Sequence, residues 1–195
     1  MAPAALHITG DTEADTLLSN DPLALLIGML LDQQVTMEKA FGSPAELARR
    51  LGGSLDAASI AAMDSDALDA VFRERPALHR YPGSMAGRVH ELCRAVAEDY
   101  GNEADAIWTG VQSGDELLGR LRALPGFGEQ KAKIFAALLG KQLGVRPEGW
   151  REATKPYGEP GSFLSVADIT EPAALEKVRA TKRAIKAEAK TRTKA

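Results

Sequence analysis

The chain has 195 residues, of which 45% are hydrophobic, and a formal net charge of −3, which favours a packed globular protein of one moderate domain. Its single cysteine, Cys93, excludes an intramolecular disulfide and any four-cysteine zinc or iron–sulfur site, so we expect no cofactor and no metal. No apolar run reaches the roughly 18 residues of a membrane span, and the start does not read as a secretory signal, so we expect a cytoplasmic protein.

The first strong helix signal lies at residues 20–31. Asp21 is a suitable capping residue, and Pro22 follows at the first helical position. Residues 23–31 are then apolar on nearly every side. A helix without a polar face is typical of a protein core, so we predict a central buried helix here.

Three further helical segments are predicted before residue 102. Ser43-Pro44-Ala45-Glu46 matches a capping box with proline at the first position, which predicts a short helix through Leu51 that Gly52-Gly53 ends. Apolar spacing predicts a second helix over 65–73 and a third over 85–100, ending at Gly101.

Residues 115–143 carry the most informative pattern in the chain. Two amphipathic helical segments, 115–123 and 129–143, flank the string L-P-G-F-G at residues 124–128. Such a turn leaves backbone N–H groups unpaired at the positive end of the second helix, where they suit a phosphate. The pattern indicates a helix-hairpin-helix, which grips a nucleic-acid backbone without reading its sequence. An ordinary helix–helix connection is the alternative.

The remainder predicts an irregular loop and one last helix. Residues 144–163 are rich in Gly, Pro and charge. Thr170-Glu171-Pro172 opens the last helix, where Leu175 and Val178 are placed to dock on the core. Because no segment alternates at the period of a strand, we predict an all-α fold. We divide it into an N-terminal segment (1–20), a helical domain (21–176) and a basic tail (177–195).

The charge is distributed unevenly along the chain. Residues 177–195 contain eight Lys or Arg against Glu188, a net +7, so that the rest carries 16 basic and 26 acidic residues, a net −10. This distribution favours a local binding patch together with a tail that adds salt-dependent affinity for phosphates. A solvated, frayed helix end is the alternative interpretation of the tail.

With its central apolar helix, short helices and L-P-G-F-G, the chain resembles the HhH-GPD superfamily of base-excision DNA glycosylases. The similarity extends over residues 21–143 and includes Leu30-Leu31-Asp32-Gln33-Gln34 and the segment 85–101. It is closest to small, single-domain, cluster-free bacterial members. The resemblance implies a two-lobed helical fold, a monomer that binds double-stranded DNA across a cleft, and a damaged or mispaired base flipped into that cleft. It also implies a nucleoid-associated location in the cytoplasm.

The resemblance implies what to expect at Gln130 but leaves the catalytic acid open. In members that cut the strand, a lysine stands where this chain has Gln130, so we expect no Schiff-base chemistry there. The family's catalytic aspartate has no counterpart; an ungapped count from Gln130 reaches Glu148, and Asp168 is a more distant candidate. Either acid can stabilise the developing positive charge of the sugar. Glu148 as a solvated loop residue and Asp168 as a helix-capping residue are the alternatives.

Gln34 resembles the residue that the family inserts into the gap left by a flipped base, with an internally paired amide as the alternative. The residues expected to contact DNA are Gln34, Pro125, Gly126, Phe127, Gly128, Gln130, Lys131 and Lys133. Trp150, Tyr157 and Tyr81 are candidates for stacking on a base, whereas core packing is expected for Trp108. The first functional hypothesis is a monofunctional glycosylase, the second a non-catalytic binder of damaged DNA, and the third a protein–protein adaptor.

Overall fold

The computed structural model describes residues 5–192, and within that range the fold is all-α, as predicted. The helices are α1 Thr12–Asn20, α2 Pro22–Leu31, α3 Met37–Arg50, α4 Ala57–Ala62, α5 Ser65–Arg73, α6 Pro82–Asp99, α7 Gly114–Arg122, α8 Glu129–Gln142, α9 Trp150–Ala153 and α10 Pro172–Arg192. Short 3₁₀ turns lie at Ala104–Ile107 and Val166–Asp168. The part of the chain between residues 5 and 192 contains no strand, only an isolated bridge between Ser113 and Glu148.

Helix α2 is the central element, and the prediction of a buried helix is confirmed. Every residue from 23 to 31 is buried. The Asp21 carboxylate accepts hydrogen bonds from the N–H groups of Leu23 and Ala24, at 2.9 and 3.1 Å, which satisfies two donors that the helix itself leaves free. At Gly28 a Cβ atom would lie 2.7 Å from the Phe41 ring, so α3 crosses α2 closely at this point.

Helix α3 corrects the expectation at residues 43–46. The helix begins at Met37 behind a Thr36 cap, and Pro44 lies inside it. The Ser43 hydroxyl oxygen lies 2.7 Å from the Lys39 carbonyl and 2.6 Å from the Leu78 carbonyl, and its one proton is shared between these acceptors instead of the side chain capping a new helix. Burial of this face against the core outweighs the backbone hydrogen bond that the proline removes.

The helices that precede the hairpin largely follow the sequence pattern. Helix α5 spans the predicted 65–73, and α6 ends beside Gly101, whose φ of 60° lies in the left-handed region. Helix α6 begins at Pro82, earlier than the predicted residue 85. On α6 the Cys93 side chain is fully buried, and burial raises the pKa of its thiol to about 12.

The loop after α8 returns across the end of the α7–α8 pair that lies away from residues 124–128. Trp150 is buried there against Gly140, where a Cβ atom would lie 2.5 Å from its ring, and against Gly114. Trp108 is buried, with its ring centroid 5.6 Å from that of Phe135, which confirms its expected core position. These contacts bury the later part of α8 in the core, whereas the first turn of this helix lies at the surface.

Within residues 5–192 no single helix is long and apolar enough to cross a membrane; α1 and α2 reach that length and composition only as a pair bent by 114°.

Candidate nucleic-acid interface

The hairpin is a tight turn built against the end of α2. The Phe127 N–H donates to the Leu124 carbonyl at 3.2 Å, and the Phe127 ring is buried, 5.9 Å from the Phe135 ring. Gly126 has a φ of 81°, and a Cβ atom there would lie 2.4 Å from Leu30 Cδ1. Phe127 therefore holds the hairpin in place, and its amide is already occupied by the turn.

The first turn of α8 presents free backbone donors. Gly128 is the N-cap, and its lack of a side chain leaves the helix without a side-chain cap. Within residues 5–192, the N–H groups of Gly128, Glu129, Gln130 and Lys131 have no acceptor. The first three of these residues are exposed. Four unpaired donors at the positive end of a helix dipole form a suitable site for an anion.

Two cations beside the hairpin, Arg122 and Lys133, form ion pairs with the same acid, Glu129. Glu129 accepts a hydrogen bond from Arg122 at 2.8 Å and pairs with Lys133 at 3.3 Å. The Arg122 hydrogen bond, with that of Lys133, holds the pKa of Glu129 below its usual value. Lys133 therefore lies at the predicted interface but has an internal partner, which a phosphate would have to displace.

Gln130 connects the hairpin to the loop after α8. Its side-chain amide donates to the Tyr157 hydroxyl at 2.9 Å. Gln130 thus holds the Tyr157 side chain beside the first turn of α8. Within residues 5–192, Tyr157 is the only aromatic stacking candidate with a hydrogen bond to a predicted DNA-binding residue.

Lys131 points to the end of α2. Its ammonium donates to the Leu30 carbonyl at 2.8 Å, which satisfies one of the acceptors left free at the helix C-terminus. Burial lowers the pKa of Lys131 to about 8, although the nearby Asp32 carboxylate acts in the opposite direction. This contact joins the hairpin helix directly to the segment that carries Gln34.

Gln34 is exposed and has a φ of 57°, in the left-handed region that is uncommon for residues other than glycine. Within residues 5–192 its side chain has no hydrogen-bond partner, in contrast to that of Gln33, which contacts Arg88 and Met85. The His79 ring supports this loop, since its Nε2 atom lies 3.1 Å from the Leu31 carbonyl oxygen and 3.0 Å from the Gln33 carbonyl oxygen. His79 therefore supports the loop from which the exposed side-chain amide of Gln34 projects.

Helix α10 carries a stripe of positive charge. Arg179, Lys182, Arg183, Lys186 and Lys190 recur at three- and four-residue spacing, and thus share one face. The docked half is held by Val178 in the core and by an Arg179–Glu38 ion pair. From residue 183 to residue 192 every residue is exposed. Residues 177–192 of the predicted basic tail are therefore part of the continuous helix α10.

The stripe departs from the charge pattern of the other helices. Elsewhere, oppositely charged residues pair at four-residue spacing, as in Glu46–Arg50 and Glu116–Arg120. Neighbouring cations such as Lys182 and Lys186 instead repel, at a cost of a few tenths of a kcal/mol per pair. Such self-repulsion is relieved when an anionic partner binds along the stripe.

Glu148 lies at the end of the α7–α8 pair opposite the hairpin. Its N–H donates to the Gln112 carbonyl at 3.1 Å, and its carbonyl accepts from Gly114 at 2.8 Å, at the start of α7. Its side chain is exposed and without a partner within residues 5–192. Since 14 residues of α8 span about 20 Å at 1.5 Å per residue, Glu148 is far from the first turn of α8.

Asp168 is occupied by structural contacts. Its carboxylate forms an ion pair with Lys141 and accepts from the Ser162 hydroxyl at 2.9 Å and the Leu164 N–H at 2.7 Å. With Ser165 it also completes a capping box around the 3₁₀ turn. Asp168 thus stabilises the loop that joins α8 to α10, and the structure does not bring it to the hairpin.

We predict that Asp168→Asn will destabilise the fold by about 3 kcal/mol, because it leaves the Lys141 ammonium in a largely buried position without a counter-charge. Chemical denaturation measures this difference. Glu148→Gln, at an exposed acid, serves as the matched control and should change stability by less than about 0.5 kcal/mol. Equal stability of the two variants would contradict a structural role for Asp168.

Two charged side chains near the end of α2, that of Asp32 and that of Lys182 from α10, are functional candidates that no sequence motif indicated. Asp32 ends this helix with its side chain only 12% exposed, and Lys182 Nζ lies 4.0 Å from its carboxylate. The helix dipole disfavours a carboxylate at a helix C-terminus. This unfavourable placement is the sequence signal that could have indicated Asp32 as a functional candidate.

Comparison of the chain with protein-family models, curated proteins and solved structures returned no match. No group of three or more potential metal ligands occurs among the described residues. The function is therefore inferred from the chain's own residues.

Proposed function

We propose that this protein binds double-stranded DNA and hydrolyses the N-glycosidic bond of a damaged or mispaired base, as a monofunctional DNA glycosylase of the HhH-GPD type. The observation that carries the proposal is the set of unpaired amides at the start of α8, held against the end of α2, which leads into the Gln34 loop. We further propose that the protein acts as a monomer at the nucleoid in the cytoplasm.

In this proposal the hairpin binds a phosphate, and Gln34 enters the duplex. The free donors of the α8 N-terminus fix the DNA backbone without reading its sequence. An amide side chain such as that of Gln34 can fill the gap left by a flipped base and hydrogen-bond the orphaned partner. Tyr157, held by Gln130 beside the first turn of α8, offers an aromatic face to a nearby base or sugar.

A non-catalytic binder of damaged or distorted DNA is the second candidate. The observation that favours it is the placement of both predicted acids, since Glu148 lies at the opposite end of the hairpin helices and Asp168 is enclosed in a structural network. Such a protein would use the same hairpin and loop to bind DNA and would leave the glycosidic bond intact.

A panel of oligonucleotide duplexes distinguishes the two. With uracil, oxidised, alkylated or mispaired bases in the panel, we expect the protein to produce alkali-sensitive abasic sites in at least one duplex. The strand should stay intact before alkali treatment, and borohydride should trap no covalent adduct, because Gln130 cannot form a Schiff base. A trapped adduct would contradict the monofunctional mechanism, and specific binding without excision would favour the non-catalytic binder.

A further inference from the structure

Asp32 is a carboxylate whose placement the fold does not explain. It lies at the C-terminus of α2, where the helix dipole disfavours negative charge. Its side chain is 12% exposed, and no hydrogen-bond donor reaches its carboxylate within residues 5–192. Buried charges in proteins are normally both paired and hydrogen-bonded, so an acid in this setting lowers the stability of the fold and is a candidate for a functional role.

Two lysines face this carboxylate from different helices. Lys182 of α10 lies 4.0 Å away, and Lys131 of α8 acts on it electrostatically while it donates to the Leu30 carbonyl. Burial nevertheless raises the pKa of Asp32, since desolvation outweighs the attraction of both lysines. Two further groups lie nearby. In addition to burial, the positive charge of Arg88 on α6 lowers the pKa of Lys131, and His79 Nε2 lies 3.1 Å from the Leu31 carbonyl at the end of α2.

Lys182 also forms part of a groove beside the Gln34 loop. The groove has a volume of about 390 Å³, within the roughly 300 to 1,000 Å³ of typical ligand sites. One wall is formed by residues 35–38 and the other by α10, including Arg179, Lys182 and Arg183. The carboxylate of Asp32 therefore lies 4.0 Å from the ammonium of a side chain that lines this groove.

We propose that Asp32 is the carboxylate that serves base excision in this chain, with the extrahelical nucleoside held at the groove beside the Gln34 loop. The proposal rests on the proposed glycosylase function. The oxygen of a water molecule forms a bond to C1′ of the sugar, and the C1′–N bond breaks with its electron pair leaving on the base. Asp32 takes the proton of the attacking water and opposes the positive charge of the sugar, while the departing base takes a proton from solvent water.

The test compares Asp32→Asn with wild type on a duplex that wild type excises. The single-turnover rate should fall by about a hundredfold or more, as for other groups that stabilise transition-state charge. Affinity for the same duplex should remain within about threefold, because Asp32 does not bind phosphate. The melting temperature near neutral pH should be equal or higher, since the substitution removes a desolvated charge; this gain should vanish as the pH falls and the wild-type carboxyl group becomes protonated.

Two matched variants separate a chemical role from a structural one. Glu148→Gln, which neutralises an exposed carboxylate, should leave the rate within about threefold of wild type. Lys182→Gln removes the nearest cation, so the pKa of Asp32 should rise further and the acidic limb of the rate–pH profile should move to higher pH. A structural role alone would not move that limb.

The outcomes are distinguishable. If wild type excises no base from the panel, the proposed glycosylase function fails and the assignment of Asp32 fails with it. If excision persists in Asp32→Asn at close to the wild-type rate, only the assignment of Asp32 is overturned. Loss of excision in Glu148→Gln, with Asp32→Asn unaffected, would restore Glu148 as the catalytic acid.

Discussion

Replacing Gly128 with aspartate should lower the affinity for duplex DNA by about 10- to 100-fold, the loss expected when charge-assisted hydrogen bonds worth roughly 1.5 to 3 kcal/mol are removed. The aspartate would accept hydrogen bonds from the first N–H groups of α8 and place a negative charge where we propose that the phosphate binds. Gly128 has a φ of −79° and open space around its Cβ position, so the side chain fits without strain. Fluorescence anisotropy with a labelled duplex measures the affinity.

This substitution separates binding from folding because aspartate is also a favourable N-cap. Helical circular dichroism and the melting temperature should be preserved or raised. Gly128→Ala leaves the amides free and is the matched control, with affinity close to wild type. Glu129→Gln should strengthen binding several-fold, since it releases Arg122 and Lys133 for the phosphate. Unchanged affinity in a folded Gly128→Asp protein would remove the hairpin from the interface.

Deleting residues 182–195 should flatten the dependence of affinity on salt. The logarithm of the affinity falls against the logarithm of the salt concentration with a slope of about −0.9 per neutralised phosphate. The deletion removes every stripe residue except Arg179. If Lys182, Arg183, Lys186 and Lys190 each contact one phosphate, their loss should reduce the slope by roughly 3 to 4. The affinity should fall most at low salt, and titrations at several salt concentrations measure both effects.

A charge-matched pair of variants tests the stripe without truncation. Lys186→Gln with Lys190→Gln removes two exposed cations of the stripe, whereas Arg75→Gln with Arg94→Gln removes two exposed cations elsewhere. Only the first pair should reduce the slope, by about 1.8. An equal reduction by both pairs would attribute the salt dependence to net charge and would exclude a specific role for α10.

The helices could be predicted where the signal is local. The Asp21 cap with Pro22, the apolar run of α2 and Gly101 at the end of α6 each act on their own segment, and the structure follows them. The prediction at residues 43–46 is wrong because Ser43 and Pro44 match the composition of a helix start. Their position inside α3 is instead stabilised by a contact of Ser43 with Leu78, 35 residues away. Long-range burial is not visible in a local pattern.

The candidate site depends even more on long-range contacts. The string at 124–128 predicts the free amides of α8, but nothing near Lys131 indicates that its ammonium reaches Leu30, 101 residues earlier. Counting along the chain to Glu148 assumed that the segment after α8 returns to the hairpin. The packing of Trp150 on Gly140 holds that segment at the other end instead. Counting residues along the chain therefore could not identify the catalytic acid, because long-range packing sets the path of this segment.

The burial of Cys93 makes the protein well suited to site-specific fluorescent labelling. Its side chain is inaccessible and its thiol stays protonated, so thiol reagents that need the thiolate should leave it untouched in the folded protein. A cysteine introduced at exposed Ala187 on α10 would then be the single reactive thiol. Energy transfer from a dye at this position to one at either end of a bound duplex would report whether α10 runs along the DNA axis or across it.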